Sequence, residues 1–438
     1  MVDTTAVQTL DELLQQAMAS VRIEERYRGH PISLAEYLAI QSSGRHSYDP
    51  DDRMFAGRFR PVIQDIAIQG RLLSVVRDVL GQYIGDDRLQ SAKIVTGGVL
   101  DGFHVDELVS HILAIALMRG THHAAHSFYE CAEGTSVSIQ FVTLIDGIRI
   151  ENPIELSKGI RLMPVPGDVR YFPPQLLTRA HGHYTEYFGR TLIVVDQSVS
   201  PIFVHPDKMT VERFPFVRAN VCTEYPDFNE AEFCEALSLS INHVVEFVAW
   251  WSHINPDEVY AVGTVGRSAA HTPSVSNPSN APFEAKEEDI REAMSIYAAQ
   301  RDLKPDVVQR LRVPLSRWMM SKTSKNRVDA FINLGTALES LYLDGSDNSE
   351  LGYKLALRAA WHLGNNAEER YSLKQEFSRM YGLRSRAVHT GDPDKVKTTP
   401  EFTATAQKRC LESIIRIIRD GRFPDREDWE RLVVGSAE

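Results

Sequence analysis

The spacing of apolar residues predicts helices in the first third of the chain and strands in the middle. The stretches FRPVIQDIAIQGRLLSVVRDVLGQYI (59–84) and HVDELVSHILAIALMRG (104–120) carry apolar residues at i, i+3 and i+4, which is the helical signal. From about residue 135 the pattern changes to period-two alternation of β-branched residues, which is typical of strands. Asp146-Gly147 lies between two such runs and therefore predicts a hairpin. We interpret 130–218 as largely β.

Helical patterning returns at residue 229 and dominates the C-terminal third. Asn229 is a suitable cap for a helix over 229–254. The segment 263–283 is rich in Ser, Pro, Gly and Asn, which predicts a linker or a long exposed loop. Beyond it we find only helical patterning, with candidate helices at about 286–300, 304–320, 326–343, 350–363, 366–389 and 401–420.

These patterns together predict a multidomain α+β protein. We expect an N-terminal mixed α/β region over 1–262, which contains the β-rich segment, and an all-α helical domain over 284–438. We expect the N-terminal region to sense or regulate, although no residue pattern in it identifies a ligand.

Composition narrows the class of protein without deciding the function. The chain has 438 residues, a formal net charge of −11 and a pI near 5.8, which argues against a protein that coats nucleic acid over its whole surface. Four scattered cysteines without a C-x-x-C pair favour a reducing compartment. The first residues lack the basic region of a signal peptide, and the longest apolar runs fall short of about 20 residues. We therefore expect a cytoplasmic protein that does not contact membranes.

Common catalytic motifs are absent from the sequence. It contains no G-x-x-x-x-G-K-[ST], G-x-G-x-x-G, H-E-x-x-H or G-x-S-x-G motif. His122 and His126 in THHAAH would share one face of a helix, and His104, His111 and Glu130 are the nearest candidates to complete a metal site with them. Because no familiar ligand spacing completes that site, we favour a polar helix end and expect neither a metal nor a cofactor.

A basic run precedes the last helices. Between 301 and 327 lie eight basic and two acidic residues, which makes a local charge of +6 in an acidic chain. This contrast suggests a phosphate-binding surface, although a solvated helix face is the commoner meaning of such a run. The candidate RNA contacts are Arg310, Arg312, Arg317, Lys322 and Lys325.

Arg384 and His389 lie five residues apart near the end of the predicted helix 366–389. Such a pair suits RNA cleavage without a metal. A neutral imidazole can take the proton of a ribose 2′-hydroxyl, and a guanidinium can stabilise the negative charge that develops on the phosphate. On one helix, however, the two side chains diverge by about 140°.

Three blocks of the C-terminal third resemble the HEPN superfamily, and specifically its Apea-like branch. They are FINLGTALESLY (331–342), LGYKLALRAA (351–360) and YGLRSRAVHTG (381–391), in the order and spacing of that family. The resemblance implies a helical bundle that dimerises and carries an R-x4–6-H motif, here Arg384 and His389. Many members are metal-independent ribonucleases of prokaryotic defence, acting as toxins or abortive-infection effectors, and some attack tRNA.

The residues around the motif have candidate supporting roles. Many members place Asn, Asp or His directly after the motif arginine, whereas this chain has Ser385. Glu339 is expected to orient Arg384 or His389, or else to form a salt bridge with Arg386 or Lys354. Tyr381 would contact phosphate or base, or pack under the motif helix.

The sequence therefore favours a cytoplasmic endoribonuclease that needs no metal. It would cut RNA by 2′-hydroxyl transesterification and act as a homodimer, under the control of a regulatory partner or a phage trigger. The main alternative is a non-catalytic HEPN module that dimerises or binds RNA, with the function residing in the N-terminal region. A metal-dependent hydrolase built on His122 and His126 is a more distant alternative.

Overall fold

The structure is a computed structural model of the 438-residue chain. It describes residues 4–25, 31–43, 59–84, 93–96, 99–102, 105–133, 137–166, 190–200, 203–204, 209–210, 218–219, 222–224, 228–253, 259, 268–270, 282–343, 349–390 and 398–434. The chain forms two compact units. The first comprises Met1–Ile145, Glu151–Phe228 and Val248–Thr272, and the second comprises Asp146–Ile150, Asn229–Phe247 and Pro273–Glu438.

The first unit combines helices with antiparallel strands. Its helices are α1 (Thr4–Met18), α2 (Leu34–Ser43), α3 (Ile66–Ile84), α4 (Val105–Arg119) and α5 (Thr121–Ala132). Four of them, α1, α3, α4 and α5, share one apolar core, which includes Leu10, Leu72, Ile112 and Phe128. The stretch 59–65, expected to begin a helix, instead contains the strand β3 (Phe59–Ile63), whose side chains alternate between buried and half-buried positions as a strand requires.

The strands before and within the β-rich segment form several sheets. Before it lie β1 (Val21–Glu25), β2 (Pro31–Ile32), β3, β4 (Lys93–Thr96) and β5 (Val99–Gly102). The predicted β-rich segment contains β6 (Val137–Asp146), β7 (Ile148–Arg149), β8 (Ile154–Ser157), β9 (Ile160–Pro164), β10 (Thr191–Ser200), β11 (Phe203–Val204), β12 (Met209–Thr210) and β13 (Arg218–Ala219). After it come β14 (Cys222–Glu224), β15 (Glu246–His253), β16 (Ser268–Ala270) and β17 (Phe283–Glu284). The largest sheet has the order β16-β15-β6-β10-β9-β8, with β14 paired to β10.

The prediction of a hairpin at Asp146-Gly147 is wrong. The segment β7 leaves the sheet of β6 and pairs in parallel with β17. Gly147 has a φ of 98°, and a Cβ at this position would overlap the carbonyl oxygen of Val244. Because only glycine fits this close approach in the left-handed region, the dipeptide redirects the chain instead of closing a hairpin.

The helix predicted over 229–254 forms only in its first half. Asn229 caps α6 (Glu230–Ile241) by accepting hydrogen bonds from two backbone N–H groups. Asn242 adopts a left-handed conformation that ends the helix, and the chain continues as β15. This helix belongs to the second unit, because Phe233 packs edge-on against Tyr297 and the Asn229 N–H donates to the Tyr297 hydroxyl at 2.8 Å. The last boundary between the units falls within the predicted linker 263–283, whereas Asp146–Ile150 and Asn229–Phe247 belong to the second unit and not to the first.

The C-terminal part of the chain is helical, as predicted. Its helices are α7 (Glu287–Arg301), α8 (Pro305–Thr323), α9 (Arg327–Tyr342), α10 (Leu351–Leu363), α11 (Ala367–Thr390), α12 (Pro400–Asp420) and α13 (Arg426–Val434). Glu369 N–H bonds to Asn366 as a cap, while the Glu369 carboxylate accepts from Asn365 N–H.

Buried aromatic side chains hold this bundle together. Trp318, Phe331 and Phe377 are fully buried. The indole N–H of Trp318 donates to the backbone oxygen of Gln407 at 3.0 Å, so α8 is fixed to α12. Since α9 packs against α8, α11 and α12, it forms the centre on which the motif helix α11 rests.

Candidate active site

Arg384 lies on the buried side of α11, beside α9. The buried residues Phe377, Met380 and Ala387 of α11 lie within about 60° of Arg384 around the helix axis. A Cβ at Gly335 of α9 would overlap Arg384 Cγ and lie only 2.8 Å from Arg384 Cβ. Because residue 335 is glycine, α9 has a notch that accommodates the aliphatic part of the arginine side chain.

Glu339 binds the guanidinium of Arg384, one helical turn beyond the notch at Gly335. Arg384 Nη2 donates to Glu339 Oε2 at 2.9 Å, and the two side chains are 25% and 23% exposed. Residues 335 and 339 are four apart on α9, so they lie on the same helix face. The sequence left several partners open for Glu339, and the structure pairs it with Arg384. Removing either partner would leave a largely desolvated charge.

Most of the hydrogen-bonding capacity of Arg384 is unused. A guanidinium has five N–H donors. Within the described part of the chain only one of them, on Nη2, has an acceptor, and the buried Nε–H has none. Planar guanidinium groups with free donors recognise phosphate oxygens well, because two donors can reach two oxygens at once. The arginine is thus held in place, and the two donors on Nη1 with the second donor on Nη2 are left for an anion.

Tyr381 lies on the same side of the site as Arg384. The Arg384 guanidinium lies 5.7 Å from the centre of the Tyr381 ring. A Cβ at Gly352 of α10 would lie 2.6 Å from this ring, so the second block of the resemblance packs directly against the third. Partial burial and the nearby Glu339 carboxylate raise the pKa of Tyr381.

His389 lies apart from this group. It is exposed in the last turn of α11, and among the described residues no hydrogen bond or ion pair involves its side chain. Ser385 is half-buried and, four residues before His389, lies on the same helix face, whereas Arg386 is exposed on the side away from Arg384. One chain therefore brings Arg384, Glu339 and Tyr381 together and leaves the imidazole about 140° away around the helix.

The basic residues of α8 do not form one surface. Arg310 lies over the Phe423 ring at 3.8 Å, and Arg317 donates to Asn333 at 3.1 Å, on the same flank of the helix. Arg312 lies on the opposite flank. Lys322 turns inward, donates to Asn242 at 3.3 Å and has a lowered pKa because of its burial. Lys325 is exposed just beyond the end of the helix. These basic residues therefore lie on different sides of α8 and do not face one ligand.

Two of the three histidines of α5 lie next to acidic side chains. His122 Nδ1 lies 3.4 Å from Asp11, and His126 Nδ1 lies 3.3 Å from Glu130. No group of three or more His, Cys, Asp or Glu side chains within the described residues is arranged to hold a metal ion. His104 lies outside these residues. Among the described helices, none is both long enough and apolar enough to cross a bilayer.

No family model, curated protein or solved structure matches the chain.

Gly335 and Gly352 are site residues that the sequence analysis did not single out. Both are glycines within predicted helices, where glycine is less favourable than alanine by about 1 kcal/mol. An unfavourable residue at such a position points to a close contact. That signal was present in the sequence, but it did not reveal which side chain the glycine accommodates.

Proposed function

We propose that this protein is a metal-independent endoribonuclease of the HEPN type. The observation that carries the proposal is the Arg384 guanidinium, held by Glu339 through Nη2 and with no acceptor for its Nη1 donors among the described residues, on the same helix as an exposed imidazole. Guanidinium and imidazole groups are sufficient for cleavage at a ribose 2′-hydroxyl, since they stabilise the anionic phosphorane and move protons near neutral pH. The products carry a 2′,3′-cyclic phosphate and a free 5′-hydroxyl.

In this mechanism each residue of the motif has one task. Arg384 stabilises the negative charge that develops on the non-bridging phosphate oxygens. His389 serves as the acid or base at the ribose or at the leaving oxygen. Tyr381, next to the guanidinium, contacts the phosphate or a neighbouring base. The structure supports this scheme by placing Tyr381 and Arg384 side by side.

A homodimer completes the site in this proposal. The two motif side chains diverge on one helix, but a two-fold axis beside α11 brings the arginine of one subunit near the histidine of the other.

Subunit mixing tests this arrangement. Arg384→Ala and His389→Ala homodimers should both be inactive. After exchange, the mixed dimer contains one intact site and should recover part of the cleavage activity. A protein that is monomeric in solution contradicts the shared site, as does a verified mixed dimer without activity.

The biological setting follows from the resemblance. We propose that the enzyme acts in the cytoplasm as a toxin or an abortive-infection effector, with tRNA among the candidate substrates. The first unit would restrain or trigger cleavage, alone or through a regulatory partner or a phage component.

A non-catalytic HEPN module is the second candidate, and one observation favours it. The Glu339 carboxylate neutralises Arg384 in the single chain, where His389 is distant. Such a pair could serve only to join α9 to α11. Incubation of the purified protein with total RNA and EDTA separates the candidates, because a nuclease of this type cuts in the presence of chelator and an inert module does not.

A further inference from the structure

Resting on the proposed ribonuclease function, we infer that Glu339 is the general base of the reaction and that His389 of the partner subunit is its general acid. Transesterification needs two proton transfers, one from the attacking 2′-hydroxyl and one to the departing 5′-oxygen. A single motif histidine supplies one of them. The carboxylate that the fold places on Arg384 can supply the other.

The geometry places Glu339 beside the phosphate site. Its Oε2 lies 2.9 Å from Arg384 Nη2, and the side chain retains 23% exposure. A phosphate that takes the unused donors of the same guanidinium would bring its 3′-linked ribose close to this carboxylate. A carboxylate in this position can act as the proton acceptor for the attacking 2′-hydroxyl. The half-buried position excludes part of the water that would otherwise compete for it.

The bonds and protons balance without a metal or a co-reactant. The 2′-hydroxyl loses its proton to Glu339, and its oxygen forms a bond to phosphorus. The bond from phosphorus to the 5′-oxygen breaks, and that oxygen receives the proton of the His389 imidazolium. Arg384 stabilises the dianionic phosphorane between these steps.

A carboxylate that only positions Arg384 would give a different pH profile from a general base. We therefore compare wild type with Glu339→Gln on total RNA from pH 6 to pH 8 in EDTA, and count 2′,3′-cyclic phosphate ends. Without its base, the variant depends on hydroxide, so the ratio of wild-type to variant rate should fall about tenfold per pH unit. Glu339→Asp keeps a carboxylate and should be slower than wild type by a factor that does not change with pH.

Glu376→Gln is the matched control. Glu376 accepts from Arg409 Nε at 2.8 Å with 27% exposure, so the control removes a similar ion pair in the same bundle. It should cleave at the wild-type rate, and circular dichroism should show that all three variants are folded.

Subunit mixing provides a second readout. Glu339 and Arg384 come from the same chain, so Glu339→Gln should recover activity when mixed with His389→Ala and should not recover it with Arg384→Ala. A rate ratio that stays constant with pH, or a Glu339→Gln enzyme as fast as or faster than wild type, would overturn the general-base assignment. Failure of the wild type to cut RNA would instead overturn the proposed function itself.

Discussion

Gly335→Ala is the perturbation that tests most directly whether the notch in α9 sets the position of Arg384. An added Cβ would overlap Arg384 Cγ and lie 2.8 Å and 3.1 Å from Arg384 Cβ and Cδ. Cβ and Cγ are the first two atoms of the Arg384 side chain, so a rotation at the tip of the side chain cannot relieve the overlap. Either α9 and α11 separate or Arg384 leaves its rotamer, and both changes break the bond to Glu339.

The expected loss of stability combines two destabilising effects and one stabilising effect. Overpacking a helix contact costs about 1–3 kcal/mol. Loss of the largely buried ion pair adds about 1–2 kcal/mol, discounted because a quarter of each side chain is exposed. The higher helix propensity of alanine offsets about 1 kcal/mol. We expect a net loss of about 1–4 kcal/mol in the free energy of unfolding of the second unit, together with loss of RNA cleavage.

The assay uses thermal unfolding and RNA cleavage with two comparisons. Gly70→Ala in α3 adds the same methyl group where nothing lies within 4 Å, so it should not destabilise the protein and should leave cleavage intact. In an Arg384→Ala background, Gly335→Ala should cost less than in wild type, because most of the overlapping atoms are gone. A Gly335→Ala protein with wild-type unfolding temperature and cleavage rate would show that the notch does not hold the arginine.

Two further predictions concern the bundle. Burial lowers the pKa of His362 to about 4 in the folded chain, against about 6.5 when unfolded. Its stabilising contribution is therefore complete above pH 6.5 and is lost as the pH falls towards 4, so roughly 2 kcal/mol should disappear by pH 5 in urea unfolding. His362→Gln should remove that dependence, and an unchanged acid profile would contradict it. If α8 guides RNA, neutralising Arg310, Arg312 and Arg317 together should make RNA binding less dependent on salt concentration. An unchanged salt dependence would show that the basic residues between 301 and 327 form only a solvated helix face.

The sequence predicted the helices of the C-terminal third well because their signals are local. Caps such as Asn366 and apolar residues at helical spacing specify each helix without help from its neighbours. It failed after Ile241, where the run VVEFVAWW fits a buried strand as well as a buried helix. The left-handed turn at Asn242 and pairing with other strands decide that case, and neither is apparent from periodicity.

The sequence could predict which residues belong to the candidate site but not how they contact one another. Arg384, Glu339 and Tyr381 could be selected by the resemblance, but the partner of Glu339 depends on how α9 packs on α11. That packing is set by Gly335, whose role is visible only when the opposing arginine is in place. The arrangement of the basic run was equally hidden in the sequence, since helix rotation and the inward turn of Lys322 separate residues that are neighbours in sequence.

Mapping of RNA ends tests whether Arg384 and His389 cleave RNA without a metal. Purified wild type and His389→Ala are incubated with total RNA in EDTA, and new RNA ends are sequenced with and without prior removal of 2′,3′-cyclic phosphates. We predict new 2′,3′-cyclic phosphate and 5′-hydroxyl ends with the wild type, and none with a folded His389→Ala protein. Equal cleavage by the two proteins, or wild-type cleavage that EDTA abolishes, would contradict metal-independent cleavage by Arg384 and His389.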